Sequence, residues 1–394
     1  MQQVTRLLKS RYLYFFLFLC FTACTRQPPA RRAITPPVNK LGVHLLLDDG
    51  RSQWPTWLWH DHMAYASQLV GQGGFVTELV RLDDLDPDKW QLFMDLCVEF
   101  ELRPVLRLAT VFDQEAGWWE RPPVDGNGRY TTPAQQYADF ITALNWPTEE
   151  HYLVVGNEPN HGDEWGGRPD PIAYAQFLMG VSRDVKTADP DARVLNAPLD
   201  QFSPHTGSQP FINGLWYMDA ATFLQEMHTA QPAVFDNIDA WASHPYPLGP
   251  FTQPPWQQTL QFDTLNDAPT RPAMADAPPN RGINAYEWEL WQLAQWGIID
   301  LPVFITETGW RYGEADYPTV EDVTVYLDLA LRGNNGRYPD LPAAGWTPWL
   351  DDERIIAITP FALDGNPDEW RHSNWLEMDT DGSIRSIQIN PITQ

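Results

Sequence analysis

The sequence predicts an α/β fold, a (β/α)8 TIM barrel with long βα-loops on its C-terminal face. Three observations predict it: eight apolar runs of strand length, a stretch of helix-spaced apolar residues after the runs, and long connections that follow strands rather than precede them. At 394 residues the chain is long enough for one such barrel with insertions.

The strands are expected at 41–47, 75–82, 103–110, 152–157, 193–197, 238–244, 303–307 and 355–361, each an apolar run bounded by polar or turn residues. Asp86-Pro87, Thr132-Pro133 and Asp170-Pro171 each set a capping side chain before a proline at the first helical position, which fixes three helix starts. In the second helix Trp90, Phe93, Met94, Cys97 and Val98 fall on one face and predict a buried stripe. Thr319 and Asp322 form a capping-box-like start, and Gly333-Asn334 a stop. No internal repeat beyond the βα unit is visible. The long connections are 111–131, 201–218 and 248–284; with Trp118, Trp119, Trp216 and Trp256 they predict a tryptophan-lined groove on the C-terminal rim.

The domain is expected at 41–394, preceded by two other segments. Arg6, Lys9 and Arg11 stand before an apolar run from Tyr12 to Ala23 that is short for a membrane span, so 1–23 reads as an export signal. The run ends Phe21-Thr22-Ala23-Cys24, which resembles a bacterial lipobox and implies lipidation at Cys24; an ordinary signal peptide or an uncleaved anchor are the alternatives. Residues 24–40, rich in proline, read as a solvated tether. The expected location is outside the cytoplasm, at a cell surface or in a periplasm, with the membrane as a partner through the lipid. With Cys20 in the signal and Cys24 acylated, Cys97 has no partner and no disulfide is expected.

A net charge of −26 with 43 % apolar residues describes a folded, acidic protein repelled by phosphate backbones, so nucleic acid is not an expected partner. Nineteen Trp, fourteen Tyr and eighteen Phe suit the C–H faces of sugar rings as well as a core.

The chemistry points the same way. Cleaving a glycosidic bond needs a proton for the leaving oxygen and a carboxylate facing the oxocarbenium-like centre. The fourth strand runs Val154-Val155-Gly156-Asn157-Glu158-Pro159-Asn160 and the seventh Val303-Phe304-Ile305-Thr306-Glu307-Thr308-Gly309-Trp310. Each places an acid where an apolar strand ends, on the rim that carries active sites in barrels. Singly, such an acid is merely solvated; two on one rim are a candidate catalytic pair.

Asn-Glu-Pro at the end of strand four with Glu at the end of strand seven resembles the clan A retaining glycoside hydrolases. The resemblance implies that Glu158 is the acid/base and Glu307 the nucleophile, about 5–5.5 Å apart, and that Asn157 binds the sugar 2-hydroxyl. Ser243-His244-Pro245-Tyr246 is similar to the clan's His-x-Tyr, which implies that Tyr246 approaches the nucleophile. Val80-Arg81-Leu82 resembles the position of an arginine that keeps the nucleophile ionised, with Arg107 the competing choice; a buried structural ion pair is the alternative for each. Locally, Glu307-Thr308-Gly309-Trp310 looks like the plant-type β-1,3-glucanases and Asn157-Glu158-Pro159-Asn160 like the β-xylosidase and exopolysaccharide-glycosidase family. The usual strand-three His is absent, and strand eight ends Thr359-Pro360-Phe361 where the clan often has Trp, a place Trp370 can take. The candidate substrate contacts are thus Asn157, Arg81, Arg107, His244, Tyr246, Trp310 and Trp370.

These residues predict a retaining β-glycoside hydrolase acting on a poly- or oligosaccharide by double displacement. A surface glycan-binding barrel without catalysis, and an envelope or exopolysaccharide transglycosylase, are the other readings. His161, Asp163 and Glu164 lack metal-ligand spacing and read as solvated loop, and Gly71-Gln72-Gly73-Gly74 precedes a strand rather than joining strand to helix; neither a metal nor a cofactor is expected.

Overall fold

The computed structural model describes residues 31, 33–51, 53–258, 277–365, 370–378 and 384–387. The expected signal at 1–23 and Cys24 lie outside them. Among the described residues no helix is long and apolar enough to cross a membrane.

In chain order the strands are β1 Gly42–His44, β2 Phe75–Arg81, β3 Arg103–Ala109, β4 Phe112–Asp113, β5 Trp118–Trp119, β6 His151–Val155, β7 Ala192–Leu195, β8 Trp241–Ser243, β9 Val303–Ile305, β10 Ile355–Ile358, β11 Leu376–Met378 and β12 Ile384–Ile387. The helices are α1 Trp59–Val70, α2 Pro87–Glu99, α3 Thr131–Ala143, α4 Pro171–Ala188, α5 Ala220–Ala230, the single turn α6 Leu248–Phe251, α7 Tyr286–Ala294 and α8 Val320–Arg332. Eight strands, β1, β2, β3, β6, β7, β8, β9 and β10, overlap the eight expected ones. They form two parallel sheets, β1-β2-β3-β6-β7 and β8-β9-β10. Single parallel bridges, Leu195 to Ala240 and Leu41 to Ile358, link the edges of one sheet to those of the other. After β10 the described residues form the antiparallel pair β11-β12 rather than a further helix.

Alternation along the strands divides the core in two. Phe75, Val105, Tyr152, Val154, Leu195, Ala240, Ala242 and Phe304 pack together on one side, with Tyr152 and Phe304 rings 4.8 Å apart. Their neighbours in sequence, such as Val76, Leu106, Leu153 and Val303, meet the helices on the other. Ile34 joins the first cluster at 8 % exposure, and Arg31 donates to the carbonyls of Ile299 and Phe235. The end of the expected tether is therefore docked, not solvated, because Ile34 covers apolar side chains that would otherwise face water.

Asp86, Asp170 and the Thr319–Asp322 capping box start their helices as expected. Thr132 does not: α3 begins at Thr131 behind Tyr130 without a side-chain cap. On α2, Trp90, Phe93, Met94 and Cys97 are buried, but Val98 is 60 % exposed because the packed stripe is narrower than the periodicity allows. Cys97 is a free, buried thiol.

Glu78 of β2 is fully buried; its Oε2 accepts the Leu47 N–H at 3.1 Å, and its Oε1 has no partner among the described residues. Burial pushes its carboxyl up to about 8. Since the unfolded value is about 4.3, the stability this group contributes is full below that value and is lost as pH rises through 8. Glu78→Gln is expected to raise Tm over wild type by several degrees at pH 8 and by nothing at pH 4 in scanning calorimetry. An equal change at both pH values would contradict a protonated Glu78.

Candidate active site

Both carboxylates are positioned by rigid backbone. Beyond β9, Thr306 N–H donates to Ser243 O (3.2 Å), Thr308 Oγ1 to Pro245 O (2.9 Å) and Phe361 N–H to Thr308 O (2.8 Å), so Glu307 is held from both flanking strand exits. Beyond β6, Gly156 at φ +89° and Glu158 at φ +29° turn the chain sharply. A glutamate in the left-handed region is strained, a cost of order 1–3 kcal/mol that persists where surrounding contacts impose it. Here Asn160 imposes it: fully buried, its Nδ2 donates to Asp200 O (2.8 Å) and Met218 O (3.1 Å), and its Oδ1 accepts the Asp200 N–H (3.0 Å).

Oxygens of Glu158 and Glu307 and the Nδ1 of His244 lie within 4.8 Å of one another. Arg107 Nη1 donates to Glu307 Oε1 and also to Asn157 Oδ1 at 3.1 Å. This bond fixes the Asn157 amide with its NH2 left as a donor. Tyr246 Oη donates to Glu307 Oε2 at 3.1 Å, and His244 Nδ1 lies 2.7 Å from Glu158 Oε1 and 3.7 Å from Glu307 Oε2. The buried His44 brings Nε2 to 3.5 Å from Glu307 Oε1 while Nδ1 contacts Leu45 O; burial keeps it neutral, its pKa lowered to about 3.

The electrostatics separate the pair. Burial raises Glu158, the His244 contact opposes this, and the charges of Asp200 and Glu307 add to the rise. Burial would raise Glu307 too, but His244, the Arg107 guanidinium and the Tyr246 hydroxyl bring it down to about 2. One carboxyl is held towards the protonated form and its neighbour ionised, the division of labour an acid and a nucleophile need.

The pair faces a cavity of about 510 Å3 that is also lined by Asn157, Arg107, His244, Tyr246 and Trp370. Two expected contacts are corrected. Arg81 pairs with Asp48 and Asp83, not with Glu307. In the β2-β3 register Arg81 faces Ala109 while Arg107 faces Leu79, so Arg81 lies two residues, roughly 7 Å, further along the strands. Trp310 is 2 % exposed, its Nε1 donating to Gln253 O and its ring packed near Tyr326 and Trp349; Arg311 lines the cavity instead. The tryptophan-lined groove is corrected as well. Trp119 is buried against Phe112, Trp216 lies under Arg168 and Trp256 meets Tyr326. The aromatic lining comes from Trp370 with Phe202, Tyr246, Phe251 and Phe361.

Sequence reasoning missed His44, Asp200 and Arg311. His44 interrupts an apolar strand, a usable signal; the others sit in loops with no pattern. His161, Asp163 and Glu164 are not simply solvated, since all three line the cavity. Burial opposes a charge on His161, yet Asp163 and Asp200 raise it to about 9, while burial and Asp163 raise Glu164 to about 8. As a metal site, the Glu158–His244–Glu307 trio has the Arg107 cation already on Glu307, which disfavours a second positive charge.

No family model and no curated protein matches the chain. Solved structures do. A glucosidase from Croceicoccus marinus aligns at TM-score 0.52 and 12 % identity over 89 % of this chain and 66 % of its own. CJP38, a β-1,3-glucanase and allergen of Cryptomeria japonica pollen, aligns at TM-score 0.50 and 16 % identity over 88 % and 97 %. A family 39 glycoside hydrolase from Bacteroides cellulosilyticus aligns at TM-score 0.49 and 16 % identity over 88 % and 61 %. The chain thus spans less than two thirds of the first and the last of these. The fold is one that glycoside hydrolases adopt.

Proposed function

We propose that this chain is a retaining β-glycoside hydrolase whose eight parallel strands close into a (β/α)8 barrel around Glu158 and Glu307. The observation that carries the proposal is the separation of the two acids. One oxygen of each acid within 4.8 Å of the other supports the short spacing of retaining enzymes, roughly 5–5.5 Å between carboxyl groups, over the roughly 6.5–9.5 Å of inverting ones. The two edge bridges support closure, and the similarity to a β-1,3-glucanase supports a β-linked substrate.

Glu307, ionised by Arg107 and Tyr246, attacks the anomeric carbon from one face. Glu158 delivers its proton to the leaving oxygen, then as a carboxylate takes a proton from the water that resolves the glycosyl-enzyme. Two inversions leave the anomeric configuration retained. The Asn157 NH2 donates to the sugar 2-hydroxyl, a bond that strengthens as charge develops beside it. The N-terminal run and Cys24 support export and lipid anchoring, so the substrate would be met outside the cytoplasm.

The test is reducing-sugar release by the domain from a panel of β-glucans, xylan, glucuronoxylan, mannan, galactan and aryl β-glycosides of neutral and uronic sugars, beside its Glu307→Ala variant. Release lost in the variant is expected; release by neither protein, or by both equally, overturns the proposal.

A further inference from the structure

Six basic side chains line the cavity, and five have a carboxylate within ion-pair distance: Arg51 with Asp49, Arg107 with Glu307, His161 with Asp163, His244 with Glu158 and His372 with Glu314. Among the described residues the sixth, Arg311, has none. In a chain with 52 acidic and 26 basic residues an unpaired arginine on the wall of the reacting site is not a consequence of composition. Nor is it loosely held. Its backbone N–H donates to Phe251 O (2.9 Å) and its guanidinium lies over the Phe251 ring, 4.9 Å from the centroid. A guanidinium held over an aromatic ring by this attraction keeps its N–H donors for another partner.

One further group joins it through the backbone. Tyr312 N–H donates to His372 O (3.0 Å), tying the segment after Arg311 to the one that carries Ser373. Ser373 also lines the cavity, and its hydroxyl has no protein partner among the described residues. Asp163, Glu164 and Asp200 line the same cavity.

We infer that Arg311, with Ser373, is a recognition site for a sugar carboxylate, and that the cavity takes a glycan unit bearing one, a hexuronic acid. A guanidinium edge matches the two oxygens of a carboxylate, and the hydroxyl adds a third donor. The chain's net charge of −26 repels a polyanion, so a single acidic unit in a largely neutral glycan fits better than a fully charged polymer. The inference rests on the hydrolase reading and supplies its substrate class.

The experiment measures kcat/KM on aryl β-glucuronide against aryl β-glucoside, and on the galacturonide–galactoside pair, for wild type, Arg311→Gln and Arg311→Lys. Binding of free glucuronate, glucose and glucose 6-sulfate to wild type and Arg311→Gln is measured in parallel by calorimetry. Expected are a preference for the uronide in at least one pair and tighter binding of glucuronate than of either other sugar. Both should fall about 10- to 100-fold in Arg311→Gln and less in Arg311→Lys. An unchanged melting temperature for the variants excludes misfolding. Equal binding of acid and neutral sugars, preference for the sulfate, or a preference that Arg311→Gln leaves intact overturns the inference. Hydrolysis of neutral glycosides alone would sink it and spare the hydrolase, whereas glucuronate binding through Arg311 with no glycoside cleaved would sink the hydrolase and spare the site.

Discussion

Glu307→Ala is expected to lower kcat by about 10^4-fold or more, since a residue that forms the covalent intermediate acts as a unit with its partners and leaves only binding and electrostatics when removed. Azide is expected to restore turnover. It fits the space vacated by the carboxylate and attacks the anomeric carbon from that side, giving the α-glycosyl azide from a β-glycoside. Arg107 and Tyr246, which spend their hydrogen bonds on Glu307 in the wild type, are left without their acceptor, and the small anion fills that role. If the variant loses activity but azide gives no azide product, or gives the β-anomer, Glu307 is not the nucleophile.

Glu158→Ala is expected to behave differently. Its proton matters in proportion to how poor the leaving group is, so cleavage of alkyl glycosides or natural linkages should fall about 10^2- to 10^4-fold, while dinitrophenyl glycosides enter the glycosyl-enzyme almost unimpeded. Azide should rescue this variant with retained configuration, because it replaces water on the acid/base side. The pH profile provides a second readout. Glu158 is raised and must be protonated, so wild-type kcat/KM falls as pH rises through its pKa; Glu307 is lowered to about 2 and must be ionised, so the acid limb lies far down the scale. Glu158→Ala should lack the basic limb. A basic limb that persists would assign the proton to another group, and Glu164, raised to about 8 and facing the same cavity, would be the first to examine.

The features legible in the sequence are those written in local pattern. Glu158 and Glu307 could be read because an acid directly after an apolar strand marks the strand's exit, and because the strand order puts both on one rim. The capping residues Asp86, Asp170 and Thr319 were legible for the same local reason. The choice between Arg81 and Arg107 was not, since it depends on the register of β2 against β3, which no single strand contains. Trp310 and Arg311 are adjacent in a loop, and which one turns inward is decided by the partners each finds, Gln253 O for the tryptophan and the Phe251 ring for the arginine. Tryptophans in long loops signal burial as readily as sugar binding, as Trp119 shows at 4 % exposure. Ile34, one apolar residue in a proline-rich stretch, has no periodicity from which its docking could be inferred.

The most direct test is the anomeric configuration of the first sugar released from a β-glycoside substrate, followed by proton NMR before mutarotation sets in. Glu158 and Glu307 acting by double displacement across their short separation predict the β-anomer first, with the α-anomer growing in later. The α-anomer as first product would mean a single displacement by water, and would contradict the assignment of Glu307 as nucleophile.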